Sequence, residues 1–120
     1  MLAIEICYAL LKEEFECGPH PLPEGIDLAR GYVTYQDVSL MPQESISGWM
    51  GFDQVRMQVN IYNKSKLQAS RDANRIKRLF TKENPFGGCS VVAGRSDFDT
   101  ETMLHLQQID FYMYQSDNNC

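Results

Sequence analysis

Few residues in this chain have the type and spacing to do chemistry. Asp97, Asp99 and Glu101 alternate in D-F-D-T-E, which places three carboxylates along one edge of an extended segment and suggests a divalent cation. The glycine and the distal bidentate glutamate of a calcium loop are missing, so the segment reads as solvated or as facing arginines. Cys17 and His20 have a ligand-like separation, but they sit among prolines in G-P-H-P-L-P-E-G without a second close pair, and a zinc site is not expected. His105 has no cysteine, aspartate or glutamate at a ligand-like spacing and reads as a surface or cross-strand packing residue. A nucleophile elbow, a P-loop, a G-x-G-x-x-G turn and H-E-x-x-H are all absent from the sequence. The expectation is a protein that is not an enzyme, with no metal and no cofactor.

The strongest charge feature is a basic stripe, Arg71, Arg75, Arg78 and Lys82, on one side of an expected helix. It reads either as a solvated face or as a surface for acidic groups. The chain as a whole carries a net charge of −5, which argues against a free-standing nucleic-acid binder, because such proteins release phosphate counterions with cationic surface. No apolar run approaches the roughly 20 residues of a membrane span, and a secretory leader is not recognisable. Cys7, Cys17, Cys89 and Cys120 are widely spaced with no C-x-x-C pair, and four reduced thiols are expected.

The elements that must position these residues follow from periodicity. At 120 residues, 22% charged and 43% hydrophobic, the chain fits one soluble domain. Val55, Met57, Val59 and Ile61 alternate with Gln54, Arg56, Gln58 and Asn60, which predicts a strand over 53–63 with one buried face. Ser65 and Gln68 then read as a capping box that opens a helix over 66–82, with Ala69, Ala73, Ile76 and Phe80 inward and Leu79 beside them. Residues 2–16, free of proline and glycine, predict a first helix. It carries two apolar stripes: Leu2, Ile6, Ala9 and Leu10 on one side, and Ile4, Tyr8, Leu11 and Phe15 on the other. One sheet covers only one of these, so the second is covered either by another subunit, the preferred reading, or by a loop of the same domain.

Strands are further predicted over 31–39, 89–95 and 103–114, with a polar tail at 115–120 expected to fray. Residues 40–53 are expected to be a long connection presenting Trp49, Met50 and Phe52 between Gly48 and Gly51. The order helix, strand, strand, helix, strand, strand predicts an α+β, two-layer domain: a largely antiparallel sheet of about four strands with both helices on one face.

With these pieces in order, the chain resembles the tail-terminator and tail-completion proteins of long-tailed bacteriophages. The resemblance rests on the N-terminal helix, on GYVTYQDVS followed by a glycine-bearing hairpin, on the R-x-Q-V strand leading into a helix in QVRMQVNIYNKSKLQASRDANRIKRLF, and on SDFDTETMLHLQQIDFYMY with its Asp-x-Asp segment and Leu-x-x-x-x-x-Asp-Phe strand. It spans roughly residues 2–114. It implies a structural virion protein of the neck, made in the host bacterial cytoplasm. Such a protein forms a homohexameric ring that terminates the tail tube and joins the tail to the head–tail connector, with tube and connector proteins as partners. Genome DNA would pass through the lumen without sequence-specific binding, and no membrane would be involved. The surfaces expected to meet across the ring are Ile4, Tyr8, Leu11 and Phe15, then Trp49, Met50 and Phe52, and the basic stripe Arg71, Arg75, Arg78 and Lys82 against Asp97, Asp99 and Glu101. The competing reading is a small protein-binding module or regulator that uses the basic helix face and the tryptophan loop to hold an acidic partner.

Overall fold

The structure, a computed structural model, describes residues 1–25, 29–45 and 47–116, with Met50 described through its backbone alone. The fold is α+β, with two helices and a mostly antiparallel sheet. In chain order the elements are α1 (Ala3–Leu11), β1 (Cys17–Pro19), β2 (Tyr32–Ser45), β3 (Gly48–Asn63), α2 (Lys66–Thr81), β4 (Cys89–Asp99) and β5 (Leu104–Gln115). Among the described residues the sheet has five strands in the order β1-β2-β3-β5-β4, rather than the expected four.

β3 is the centre of the sheet because its alternation is the cleanest. Val55, Met57, Val59 and Ile61 are each at most 1% exposed. Their register partners continue the same face: Met113, Phe111 and Ile109 lie opposite Val55, Met57 and Val59 on β5, and Tyr35 and Val33 lie opposite Val59 and Ile61 on β2. Both helices feed this one cluster, α1 through Ala3, Ile6, Cys7, Leu10 and Leu11, and α2 through Ala73, Ile76, Leu79 and Phe80. The rings of Phe80 and Phe111 stack with centroids 4.6 Å apart, fixing where α2 crosses β5.

The junction between β3 and α2 is built from local side-chain bonds. The Ser65 amide donates to Asn63 Oδ1 at 2.9 Å, and the Gln68 amide donates to Ser65 Oγ at 3.2 Å. Only half of the expected capping box forms, since the Gln68 side chain donates instead to Asp72 Oδ1. Replacing Ser65 with alanine removes the cap and should lower stability by about 1 kcal/mol. Urea denaturation followed by far-UV circular dichroism measures this, and an unchanged midpoint would show that the cap contributes nothing.

α1 ends five residues before its predicted boundary. Its last turn has no basic residue, and Glu13, Glu14 and Glu16 crowd the negative end of the helix dipole. Beyond Leu11 the chain turns, and Cys17–Pro19 pairs in parallel with Val33–Tyr35. This short strand was not expected, because a glycine and a proline read as breakers. Proline is tolerated there because β1 is a sheet edge. The polar tail is also shorter than predicted: Gln115 belongs to β5, its Oε1 accepts the Ala3 amide at 3.0 Å, and the Ser116 carbonyl accepts the N-terminal amine at 2.7 Å. Residues 117–120, including Cys120, lie outside the described residues.

The largest departure concerns residues 40–53. They form no loose connection but continue β2 and β3 as one long hairpin, paired from Tyr32↔Tyr62 out to Ser45↔Gly48. Gly48, at φ +112°, opens β3 directly after the turn in a backbone region that side chains disfavour. Pro42 fits because β1 covers only Val33–Tyr35 and the outer edge of β2 has no neighbour beyond. β5 stops pairing with β3 at Asp53, so the hairpin end projects past the sheet as an arm, and the long dimension of the molecule reaches 50 Å. The helices leave this arm bare: Leu40, Met41 and Trp49 are 53–62% exposed.

Candidate subunit interface

The sequence-predicted interface residues separate into those the fold has already used and those it leaves outward. On α1, Ile4 and Tyr8 are exposed, as the second stripe requires. Leu11 is not: it is fully buried in the domain's own core. Phe15 lies beyond the shortened helix and packs half-buried against that core. Both are corrections: Leu11, one turn on from Cys7, falls on the buried side of α1, and Phe15 is turned inward by the chain beyond the helix. Ile4 and Tyr8, with Met1, Ala9, Pro19 and Tyr35, line a shallow apolar groove between α1 and the start of β2.

At the arm, Trp49 holds its indole N–H to the Phe52 carbonyl and to Asp53 Oδ1, both at 3.1 Å. Its single donor is satisfied internally, so what it presents to the outside is apolar ring. Phe52 is half-buried, edge-on to Tyr114 with centroids 5.9 Å apart, and anchors the base of the arm. The side chain of Met50 lies outside the described residues.

The basic stripe is divided as well. Arg71, Arg78 and Lys82 are exposed on α2. Arg75 is engaged within its own chain, donating to both oxygens of Glu14 at 2.8 Å and to Glu83 at 2.6 Å. It ties α2 to the segment after α1 and is not free for a partner. The hydrogen bond from Arg75 holds the Glu14 carboxyl below its ordinary value. A carboxylate whose pKa falls on folding stabilises the native state above its unfolded pKa, and that contribution disappears as pH drops through the folded value. Arg75→Ala should therefore lower the melting temperature at about pH 7 but much less at about pH 3, where the carboxylates are protonated. Equal shifts at both pH values would show that Arg75 acts through packing alone.

The acidic segment, read as an extended stretch between strands 89–95 and 103–114, belongs in part to a strand. β4 runs through Asp97 to Asp99. Asp97 Oδ1 accepts the Phe98 amide at 2.8 Å within the strand, and Asp99 Oδ1 accepts the Glu101 amide at 3.0 Å, shaping the turn that follows β4. Arg75 is thus engaged within its own chain, whereas each aspartate gives one oxygen to a local backbone amide. His105 lies against Phe98, with ring centroids 4.9 Å apart.

Sequence reasoning missed a polar ladder across the sheet face opposite the helices. Asn60 donates to Thr34 Oγ1 at 3.3 Å and accepts from Gln108 Nε2 at 2.8 Å, with Asn60 and Thr34 at most 3% exposed. Beside it Gln36 donates to Gln58 at 2.8 Å, and Arg56 donates through two nitrogens to Asp110 Oδ2, the closer at 2.7 Å. The polar half of the alternation in β3 was visible in the sequence. Its partners were not, because they depend on strand register.

No protein-family model matches the chain, and no curated protein is significantly similar to it. The geometry alone therefore defines the site: a projecting arm with an exposed tryptophan, a shallow groove on α1, and a cationic face on α2. Among the described residues no three histidine, cysteine, aspartate or glutamate side chains come together as metal ligands, and no described helix is long and apolar enough to cross a membrane.

Of the described thiols, Cys7 is buried and Cys17 and Cys89 are half-buried. Burial pushes Cys7 well above the ordinary thiol range, raises Cys17 and takes Cys89 up to about 12. Because the thiolate is the reactive form, iodoacetamide at neutral pH should modify Cys7 and Cys89 only after unfolding, when four reduced thiols should be counted. Rapid native labelling of Cys7, or a consistent loss of two thiols after unfolding, would contradict this.

Proposed function

We propose that this protein is a structural component of the neck of a long-tailed bacteriophage, acting as a tail-terminator or tail-completion ring. The observation that supports this reading best is the projecting β2–β3 arm, whose Trp49 is 60% exposed with its only donor already bonded. A monomer gains nothing by keeping such a group in water, whereas an assembling subunit uses it as an anchor. Apart from the additional strand β1, the order of elements follows the pattern on which the resemblance rests, and the arm extends the glycine-bearing hairpin that is part of it. In this reading the protein is not an enzyme and needs no cofactor or metal. About six copies close a ring between the tail tube and the head–tail connector, and DNA passes without sequence-specific contact. A head-to-tail ring suits the molecule, because its exposed surfaces differ from one another and each subunit presents one and receives another.

The experiment is to delete the gene in a phage that encodes it and image the tails. Tails of irregular length, or tails of normal length that fail to join filled heads, with rescue by the supplied protein, are the expected result. Normal infectious particles without the protein would overturn the proposal.

A further inference from the structure

We infer that the arm of one copy docks along the outer face of α2 of the next, and that charge complementarity selects this contact. Residues 36–55, the outer hairpin, contain Asp37, Glu44 and Asp53 and no lysine, arginine or histidine. Residues 64–82 contain seven cations against one carboxylate, Asp72, so the net −5 of the chain arises wholly outside this helix. Asp53 is spent on Trp49 and Gln115, but Asp37 and Glu44 accept no hydrogen bond from the described residues. Arg71, Arg78 and Lys82 likewise have no side-chain partner there.

The lengths agree. Asp37 to Glu44 spans about 23 Å of strand, and Leu67 to Lys82 spans about 22 Å of helix. Leu67, the one exposed large apolar residue of α2, is 61% exposed at the start of that stripe, and Trp49 pairs with Glu44 at the tip of the arm. With the tip toward Leu67, the indole meets an apolar side chain while Glu44 and Asp37 meet cations at the two ends. The contact is placed between copies because the arm continues the sheet past the end of β5, while the stripe is on the side of α2 turned away from that sheet. The contact rests on the ring reading for its biological place, but it is a property of the chain that is measured without a phage.

The test is photo-cross-linking of the full chain with p-benzoylphenylalanine at position 49, mixing isotopically heavy and light protein at high concentration and mapping the linked peptides by mass spectrometry. Heavy–light links from position 49 to the 64–82 segment are expected. Reversing either surface, by Asp37→Lys with Glu44→Lys or by Arg71→Glu with Arg78→Glu, should cut the yield by about tenfold or more, since like charges facing each other are strongly disfavoured. Both reversals in one chain should restore it. These positions are exposed, and unchanged circular dichroism confirms that the variants fold. No heavy–light link, links to the α1 groove or elsewhere, or no restoration in the double reversal would overturn the inference. A neck ring present in particles together with links elsewhere sinks this contact alone. The expected links in a protein absent from particles sink the ring reading alone.

Discussion

Trp49→Ala should leave the folded monomer almost unchanged and abolish its incorporation into tails. The indole is mostly in water and is not a member of the core cluster, so its removal deletes little that holds the domain together. At an interface the balance reverses, because truncating a central aromatic anchor costs about 2 kcal/mol or more in binding, and in a ring that loss recurs at every contact. The comparison is Arg75→Ala, which breaks a tether inside one subunit and should impair assembly far less. Melting temperature and incorporation into tails during phage growth separate the two. A folded Trp49→Ala protein that still gives normal tails and full infectivity would remove the arm from the interface. Tyr8→Asp, on the exposed side of α1, tests the second surface in the same assay.

The largest loss of stability should come from Phe111→Ala. Phe111 is fully buried at the centre of β5, opposite Met57 and stacked on Phe80, so the cavity opens where the sheet and α2 meet. Large-to-small changes of buried aromatics cost about 3–5 kcal/mol, a large share of the roughly 5–15 kcal/mol available to a domain of this kind. The expected result is a variant that unfolds at much lower urea or is recovered only in aggregates. A shift of less than about 1 kcal/mol would mean that the neighbouring side chains collapse into the space.

The parts of this fold that were legible in the sequence are those set by local period. The alternation at Val55–Ile61 located β3, and the stripe of Ala69, Ala73, Ile76 and Phe80 located α2 to within a residue. What was not legible depended on position within the sheet. Pro42 and two glycines argue for a loop only if the strand has neighbours on both sides. At an uncovered edge, with register shifts between Asp37 and Ser39 and between Pro42 and Glu44, the same residues extend a hairpin. Phe15 was misplaced because helical periodicity was carried past the end of the helix, and Leu11 because the buried arc of α1, formed by Ala3, Ile6, Cys7, Leu10 and Leu11, is wider than the stripe assigned to it.

The candidate site divides along the same line. Trp49, Tyr8 and Arg71 stand exposed, where composition and spacing put them. Arg75 was assigned to a partner because its intramolecular partners, Glu14 and Glu83, come from contacts that spacing along the chain does not reveal. The same ignorance of register hid the arm's one-sided acidity, since residues 36–45 and 48–55 read as separate segments until the hairpin joins them.

The central claim, a structural ring at the neck, is tested most directly by imaging purified particles of a phage that encodes this chain, with the protein tagged at its C-terminus. The account predicts a ring of tagged density, about six copies, between the end of the tail tube and the head–tail connector. Particles that lack the protein, or a chain recovered only in a stoichiometric soluble complex with a host protein, would contradict it.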